Sequence, residues 1–213
     1  MPSSGDDVVS VRVKICGVTT VEDALVCAEA GADAIGLNFW SGSKRVIDLR
    51  RAAEIARALP SAVLKVGVFV NAERTAIDRA IAAVGLDAIQ LHGEESPGDC
   101  RGFGVKVIKA IPAVPGGEPL SVIAERFDVD YILLDADAGA EHGGSGRTFD
   151  WGLAAGVAPG RVFLAGGLRP ENVAAAVRAV EPYAVDTASG VESAPGRKDP
   201  KRVKEFIDNA KHA

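Results

Sequence analysis

At residues 11–19 the chain reads Val-Arg-Val-Lys-Ile-Cys-Gly-Val-Thr, a mostly apolar run that ends at a single glycine. An open, doubly wound sheet that binds a dinucleotide would carry a Gly-x-Gly-x-x-Gly motif after its first strand, and this position lacks it. The next segment, Val21–Ala30, is rich in alanine and repeats its apolar residues with the period of a helix. The start of the chain therefore predicts a strand followed by an amphipathic helix.

The same strand-then-helix pattern recurs along the rest of the sequence. The apolar runs are Val11–Cys16, Ala34–Phe39, Leu64–Val70, Ala88–His92, Val105–Ile111, Tyr131–Asp135, Val162–Ala165 and Ala184–Thr187. Most are continuously apolar, which is typical of parallel strands whose outer face is covered by helices. Eight such units match the closure of a TIM barrel. We therefore predict a single (β/α)8 barrel of the α/β class over residues 11–213, with an open doubly wound sheet as the alternative.

Segments with helical periodicity lie between the strands: Val21–Ala30, Leu49–Leu59, Glu73–Val84, Pro170–Val180 and Pro200–Ala210, with shorter segments after Ser96, Glu118 and Phe149. Thr19 and Glu22 are spaced as a capping box at the start of the first helix. Pro170 and Pro200 are predicted at first helical positions, and Asp199 is predicted to be an N-cap. These signals define the expected helix starts.

Composition narrows the possible partners and location. The chain has 24 Lys and Arg against 29 Asp and Glu, a formal net charge of −5, which argues against nonspecific binding to nucleic acid or an anionic membrane. No run reaches the roughly 18 apolar residues of a membrane span, and the N-terminus lacks a signal-peptide pattern. We expect a cytoplasmic protein in which residues 1–10 are a disordered or frayed extension. Cys16, Cys27 and Cys100 form no Cys-x-x-Cys pair, so we expect no disulfide framework and no metal site.

Glycine and serine follow the last two predicted strands. In a TIM barrel the chemistry lies at the carboxyl ends of the strands. Gly166-Gly167 follows strand 7 and Ser189-Gly190 follows strand 8, where loops often bind a phosphate through backbone N–H groups. Ordinary turns are the alternative. Two such elements at consecutive strand ends favour a phosphorylated substrate.

Cys16 and Asp135 are the candidate acid–base pair. They end strands 1 and 6, which lie on different sides of a closed barrel, so their side chains can flank a ligand without touching. A thiol with an ordinary pKa of about 8.5 needs help to act as a base, and burial under a substrate raises the pKa of a carboxyl, as an acid requires. For Cys16 the competing interpretation is a small buried packing residue, which we expect of Cys27 and Cys100.

Three further features surround the predicted mouth of the barrel. Arg45 follows a loop of glycine and serine after strand 2, and it is either a ligand of a substrate carboxylate or a solvated surface residue. His92 ends strand 4 and is either a functional group or a structural histidine. The glycine-containing loop around His142, after strand 6, is predicted to be a lid in which His142 is incidental.

A set of short motifs extends over nearly the whole chain from Val11 onward. The motifs are Lys14-Ile15-Cys16-Gly17, Gln90-Leu91-His92-Gly93-Glu94, Leu134-Asp135, Gly143-Gly144-Ser145-Gly146-Arg147-Thr148-Phe149-Asp150-Trp151, Leu164-Ala165-Gly166-Gly167-Leu168, Pro170-Glu171-Asn172-Val173, and Asp186 with Ser189-Gly190-Val191-Glu192. In this order they resemble the phosphoribosylanthranilate isomerases of tryptophan biosynthesis.

The resemblance implies an Amadori rearrangement that uses no metal or organic cofactor. The aminoaldose N-(5-phosphoribosyl)anthranilate would become the aminoketose 1-(2-carboxyphenylamino)-1-deoxyribulose 5-phosphate. Asp135 would protonate the ribose ring oxygen as general acid, and Cys16 would remove the C2 proton as general base. The substrate-binding positions that the resemblance implies are Arg45 for the anthranilate carboxylate, Gly144, Ser145, Gly146, Gly166, Gly167, Ser189 and Gly190 for the phosphate, and His92 and Asp186 along the pocket.

Some residues depart from the family pattern. The family usually has a Lys-Ser-Pro-Arg stretch at its carboxylate-binding arginine, whereas Ser41-Gly42-Ser43-Lys44-Arg45 lacks the proline and predicts a looser loop. Arg169 and Thr187-Ala188 also replace more usual residues near the phosphate site. The alternatives are another phosphosugar-binding barrel enzyme or an inert barrel used as a binding module. We expect a small phosphosugar as the partner and favour a monomer over a homodimer.

Overall fold

The computed structural model describes residues 10–136 and 150–213, and its centre is a closed barrel of parallel strands in the order β1 to β8. The strands are β1 Arg12–Cys16, β2 Ala34–Asn38, β3 Leu64–Phe69, β4 Ala88–Leu91, β5 Lys106–Ala113, β6 Tyr131–Ala136, β7 Val162–Leu164 and β8 Ala184–Thr187. β1 pairs with both β2 and β8, which closes the sheet. The predicted TIM barrel is confirmed, and the open sheet is excluded.

Some of the predicted features fall on residues outside the described ranges. They are the extension up to residue 9, the lid loop with His142, and the phosphate ligands Gly144, Ser145 and Gly146. Ser10, the one described residue of the predicted extension, is exposed and belongs to no strand or helix.

Alternation along the strands decides which side chains face the barrel axis. A small apolar layer fills the interior, formed by Ala34, Val66, Ala88, Ile108, Ala110, Leu133, Phe163, Ala184 and, just beyond the end of β7, Ala165. Side chains two residues apart on a strand share a face. Two positions beyond Ala88, Leu133 and Ala184, the inward residues are therefore Gln90, Asp135 and Asp186. The interior changes from apolar to polar toward the carboxyl ends of the strands.

Six α-helices cover the outer face of the barrel in the described residues: α1 Val21–Glu29, α2 Leu49–Ala58, α3 Arg74–Val84, α4 Leu120–Glu125, α5 Val173–Val180 and α6 Pro200–Lys211. Outward-facing Val13 and Ile15 of β1 are fully buried in the same cluster as Phe206 of α6. Burying each such side chain contributes about 1.5–3 kcal/mol. Within residues 10–136 and 150–213, no helix has the length and apolar character needed to cross a bilayer.

Two of the predicted helix starts are wrong. Thr20, not Thr19, caps α1, because its hydroxyl accepts a hydrogen bond from the Asp23 amide at 3.1 Å. Thr19 instead donates to the Gly196 carbonyl at 2.7 Å. The helix expected at Pro170 begins at Val173. The third start is confirmed: Asp199 accepts hydrogen bonds from the amides of residues 201 and 202 and precedes a proline at the first helical position.

The segment before α5 forms a turn because its polar groups hydrogen-bond to one another. The Asn172 side chain accepts a hydrogen bond from the Arg169 amide at 2.8 Å and donates to the Gly167 carbonyl at 3.1 Å. These bonds stabilise a non-helical turn directly behind the predicted phosphate loop.

Three connections differ from the repeating unit. Between β6 and β7 the described residues form two 3-10 turns, Trp151–Ala154 and Pro159–Arg161, where the sequence predicted a helix after Phe149. The segment after Ser96, between β4 and β5, contains turns and no helix, and Gly102 and Gly104 within it have positive φ, which interrupts a helix. After β8 the chain forms a short 3-10 turn and then an antiparallel hairpin, β9 Glu192–Ala194 with β10 Arg197–Lys198. The sequence did not predict this hairpin, and it contributes residues to the site.

Candidate active site

A cavity of about 480 Å³ opens at the carboxyl ends of the strands. The predicted site residues that line it are Cys16, Arg45, His92, Asp135, Gly166, Gly167, Asp186 and Ser189. Gly190 follows Ser189 in the sequence. A Cβ at Gly190 would lie 1.9 Å from the Leu168 carbonyl oxygen. A glycine is therefore required at position 190 for close packing of the loops after β7 and β8.

The acid candidate Asp135 is buried on β6 and faces a histidine. Nε2 of His92 lies 3.4 Å from Oδ2 of Asp135. The other ring nitrogen, Nδ1, lies 2.7 Å from Nε2 of Gln90, whose Oε1 accepts a hydrogen bond from Lys14 at 2.9 Å. Since the Gln90 oxygen is used by Lys14, its amide nitrogen donates to Nδ1, and the proton of a neutral His92 is on Nε2, directed at Asp135.

Inward polar residues thus connect the two sides of the barrel. Lys14 also donates to Oδ1 of Asp186 at 2.9 Å, so the hydrogen bonds and close contacts run from Asp186 on β8 through Lys14 and Gln90 to His92 and Asp135. Buried polar groups that are all paired define one arrangement of side chains. This network forms the floor of the cavity.

The base candidate Cys16 is buried beside two ammonium groups. Burial raises the pKa of its thiol, whereas Lys14 lowers it, Asp186 raises it and Lys198 lowers it, and the net effect is a raised pKa. Lys198 donates to the Cys16 carbonyl at 2.6 Å. The raised pKa favours the thiol over the thiolate, whereas the cations beside the sulfur favour the thiolate.

Arg45 reaches the cavity, where its guanidinium is paired with a carboxylate of the hairpin. Nε and Nη2 donate to the two oxygens of Glu192 at 2.8 and 2.7 Å. Burial raises the pKa of Glu192, but its hydrogen bonds to Arg45 and the charge of Lys198 lower it, and the lowering prevails. The Arg45 stem packs over Gly17, where a Cβ would lie 2.3 Å from Cδ of the arginine.

The loops after β7 and β8 form the opposite side of the cavity. Gly166 and Gly167 have φ of 83° and 60°, values that glycine adopts without strain. The Thr187 hydroxyl donates to the Leu168 carbonyl at 2.7 Å and joins the two loops. Ser189 lies at this edge of the cavity. Backbone around glycines with positive φ can present N–H groups to an anion.

The remaining cysteines are packing residues, as predicted. Cys27 is fully buried, and burial raises the pKa of its thiol to about 12. Cys100 is also buried, and its sulfur donates to the Ser96 carbonyl at 3.3 Å. In the described part of the chain, no group of three or more His, Cys, Asp or Glu side chains is arranged to bind a metal.

Sequence reasoning missed four residues of the site: Lys14, Gln90, Glu192 and Lys198. The first two carried a signal, because a polar residue two positions before Cys16 or His92 must share its inward face. Lys198 carried none. It meets Cys16 across 182 residues of sequence through a hairpin that the pattern did not reveal.

Comparison with known proteins relates nearly the whole chain to one family. The family model described as N-(5'phosphoribosyl)anthranilate (PRA) isomerase matches residues 13–209. An N-(5'-phosphoribosyl)anthranilate isomerase from Citrifermentans bemidjiense is 52% identical over 201 residues, covering 94% of this chain and 97% of the relative. The crystal structure of the phosphoribosyl anthranilate isomerase from Thermotoga maritima has a TM-score of 0.85 and 43% identity, covering 95% of this chain and 100% of that chain.

A further crystal structure shows a relative with a ligand. It is a phosphoribosyl anthranilate isomerase in complex with reduced 1-(o-carboxyphenylamino)-1-deoxyribulose 5-phosphate. Its TM-score is 0.80 and its identity 41%, covering 95% of this chain and 100% of that chain.

Proposed function

Because this chain belongs to the family of N-(5'-phosphoribosyl)anthranilate isomerases, we propose that its cavity carries out their aldose–ketose isomerisation with Asp135 as general acid and Cys16 as general base. The supporting observation is that these two groups reach one cavity from strands on different sides of the barrel. Proton addition and removal at neighbouring atoms of one substrate require such a pair. The reaction belongs to tryptophan biosynthesis.

In the first step, Asp135 protonates the ribose ring oxygen. The bond between this oxygen and C1 breaks, and the lone pair of the anthranilate nitrogen forms the C1=N bond of a protonated Schiff base. Nε2–H of His92, 3.4 Å from the Asp135 carboxylate, stabilises the negative charge that Asp135 gains when it gives up its proton.

In the second step, the Cys16 thiol gives its own proton to water, and the resulting thiolate removes the C2 proton. The electrons of the C2–H bond form the C1=C2 bond, the Schiff base nitrogen becomes neutral, and the resulting enolamine tautomerises to the ketone. Lys14 and Lys198 lie beside Cys16 and stabilise the thiolate that this step uses.

The two ends of the substrate carry negative charges that the cavity walls can bind. We assign the anthranilate carboxylate to Arg45. Its Nε and Nη2 pair with Glu192, and Nη1 takes no part in that pair. We assign the phosphate to the glycine turn Gly166-Gly167 with Ser189-Gly190, where backbone N–H groups are available to an anion. Asp186 then orients Lys14 below the reacting carbon atoms.

The direct test is turnover of freshly prepared N-(5-phosphoribosyl)anthranilate by the purified protein, followed by the loss of substrate fluorescence. Complementation of a host that lacks the isomerase is the parallel test in cells. The double variant Cys16→Ser with Asp135→Asn is the matched control. Failure of the parent protein in both tests would identify the chain as an inert binding barrel.

We further propose that the barrel works in the cytoplasm, because a phosphorylated substrate does not cross a bilayer unaided. We also propose that it works as a monomer. The exposed large apolar side chains of the described residues are Leu25, Val46, Leu64, Val114 and Val122, on separate segments. Stable interfaces bury a contiguous apolar centre. A Thermotoga maritima relative is described as dimeric, so sedimentation is the measurement, and a dimer at assay concentrations would reject this proposal.

A further inference from the structure

Lys14 is a fully buried lysine in the interior of the barrel. Its side chain has no exposed surface, and it lies below the residues that line the cavity. Removing an ammonium group from water is costly even when a carboxylate pairs with it, and an apolar pair of similar volume would often stabilise a protein better. Simple stabilisation of the fold therefore does not account for a lysine at this position.

The ammonium of Lys14 is held by two polar side chains on the inward face of the barrel that also carries the candidate base. Nζ donates to Oδ1 of Asp186 and to Oε1 of Gln90, both at 2.9 Å. A lysine carries three N–H donors, so one donor remains, and Cys16 lies two residues further along β1, where its side chain shares the inward face of Lys14. The buried ammonium and the thiol thus lie on the same inward face of β1.

Lys198, a second buried ammonium near Cys16, differs in what it contacts. Its Nζ donates to the carbonyl oxygens of Cys16 at 2.6 Å and Ala188 at 3.1 Å, and to Oε1 of Glu192 at 2.9 Å. These three acceptors use its three donors. Lys198 therefore fixes the backbone around Cys16, whereas Lys14 has one donor left on the inward face that carries the thiol.

We propose that Lys14 is a positioning residue for the base step, with its buried ammonium acting as the counter-ion that stabilises the thiolate of Cys16. The inference rests on the proposed role of Cys16 as general base. It assigns to Lys14 a function that requires no contact with the substrate.

The charged groups around Cys16 come from four parts of the fold. They are Lys14 on β1, Asp186 on β8, Lys198 on β10 and Arg45 in the loop after β2. Burial raises the pKa of the Cys16 thiol most strongly, and Lys14 is the largest influence that lowers it. Asp186 raises this pKa and Lys198 lowers it. Loss of Lys14 should therefore raise the thiol pKa, and loss of the Asp186 charge should lower it.

The test titrates the thiol without using turnover. In a Cys27→Ala, Cys100→Ala background, Cys16 is the remaining cysteine, and its alkylation by iodoacetamide as a function of pH gives the midpoint of thiolate formation. We expect Lys14→Met to raise this midpoint by about one pH unit or more, the effect of removing a nearby opposite charge. We expect Asp186→Asn to move the midpoint in the opposite direction.

A matched pair of variants protects the test against a folding defect. Lys14→Met leaves the Asp186 carboxylate buried without its partner, so Lys14→Met with Asp186→Asn is compared with Asp186→Asn alone. A higher midpoint in the double variant supports the proposal, and equal midpoints overturn it even if turnover falls. Turnover by the parent is measured separately, so an inactive parent with the predicted midpoints contradicts the proposed function and not the stabilisation of the Cys16 thiolate by Lys14.

Discussion

Arg45 and Glu192 form a bidentate ion pair at the edge of the cavity, with Nε and Nη2 at 2.8 and 2.7 Å from the two carboxylate oxygens. The residues are separated by 147 positions in the sequence. The same carboxylate binds Lys198 at 2.9 Å. Glu192 thus connects the group proposed to bind the substrate carboxylate with the cation that fixes the backbone of Cys16.

We expect Glu192→Gln to raise KM about tenfold or more with a smaller change in kcat. The substitution removes a charged hydrogen-bond acceptor, an interaction worth roughly 1.5–3 kcal/mol, and leaves the Arg45 side chain less well oriented for the substrate. Steady-state kinetics provide the measurement. Glu205→Gln, which alters an exposed ion pair with Lys201, is the control and should leave KM unchanged. An unaltered KM in Glu192→Gln would contradict this orienting role.

We expect Asp135→Asn and Cys16→Ser each to lower kcat by about 10²–10⁴, the contribution of one general acid or base. Neither substitution alters side-chain size much, so the thermal unfolding midpoint should stay close to that of the parent. Single-turnover rates at saturating substrate are the measurement. If both variants retained full rates, neither residue would be the acid or the base.

We expect Gly166→Ala to destabilise the protein by at least about 1 kcal/mol, since alanine is strained at positive φ, and also to weaken phosphate binding. Gly166 has φ of 83°, and a Cβ there would lie 2.6 Å from the Ala136 amide nitrogen. Gly160→Ala is the control, because a Cβ at Gly160 meets nothing within 4 Å. Urea unfolding and competition by inorganic phosphate measure the two effects. Equal behaviour of the two variants would rule out the role given to this turn.

The buried ion pair of Glu95 with Lys109 makes stability depend on pH. Burial raises the pKa of Glu95, but Lys109 and hydrogen bonds lower it, and the result lies below the ordinary value of 4.5. A carboxyl with a lowered pKa in the folded state adds stability above its unfolded pKa and loses it as pH falls through the folded value. We therefore expect the free energy of unfolding to decrease below about pH 4.5, and Glu95→Gln to reduce that decrease.

Lys109→Met tests the same ion pair by removing its cation. It leaves a buried carboxylate without its cation, so we expect a loss of about 3–5 kcal/mol near neutral pH. Lys204→Met, which removes an exposed ion pair with Asp208, should cost no more than about 1 kcal/mol. Urea unfolding provides both values. A similar cost in the two variants would show that burial of the Lys109 pair has no energetic consequence.

The barrel could be predicted from the sequence because its signals are local. Each strand is a short apolar run, and strand and helix succeed one another with regular spacing, which leaves few architectures. Cys16 and Asp135 could be found because they end such runs. The choice between Thr19 and Thr20 as helix cap could not, since both residue types fit and the decision depends on a bond from Thr19 to Gly196.

The partners of the predicted residues depend on contacts across the whole chain. The Arg45 side chain was predicted for a substrate carboxylate, but its pairing with Glu192 is set by the hairpin after β8. The absence of a helix between β4 and β5 follows from glycines that the helical pattern did not weigh. Tertiary contacts of this kind have no counterpart in local periodicity.

Closure of the barrel by β1 and β8 has a consequence for synthesis on the ribosome. Residues 12–16 emerge early, yet their partner strand ends at Thr187 and the cation behind Cys16 is Lys198. Until β8 has been synthesised, β1 has an unpaired edge that other strands could join. The nascent chain therefore carries an exposed thiol and an open sheet edge from the synthesis of β1 until β8 and the hairpin have left the exit tunnel.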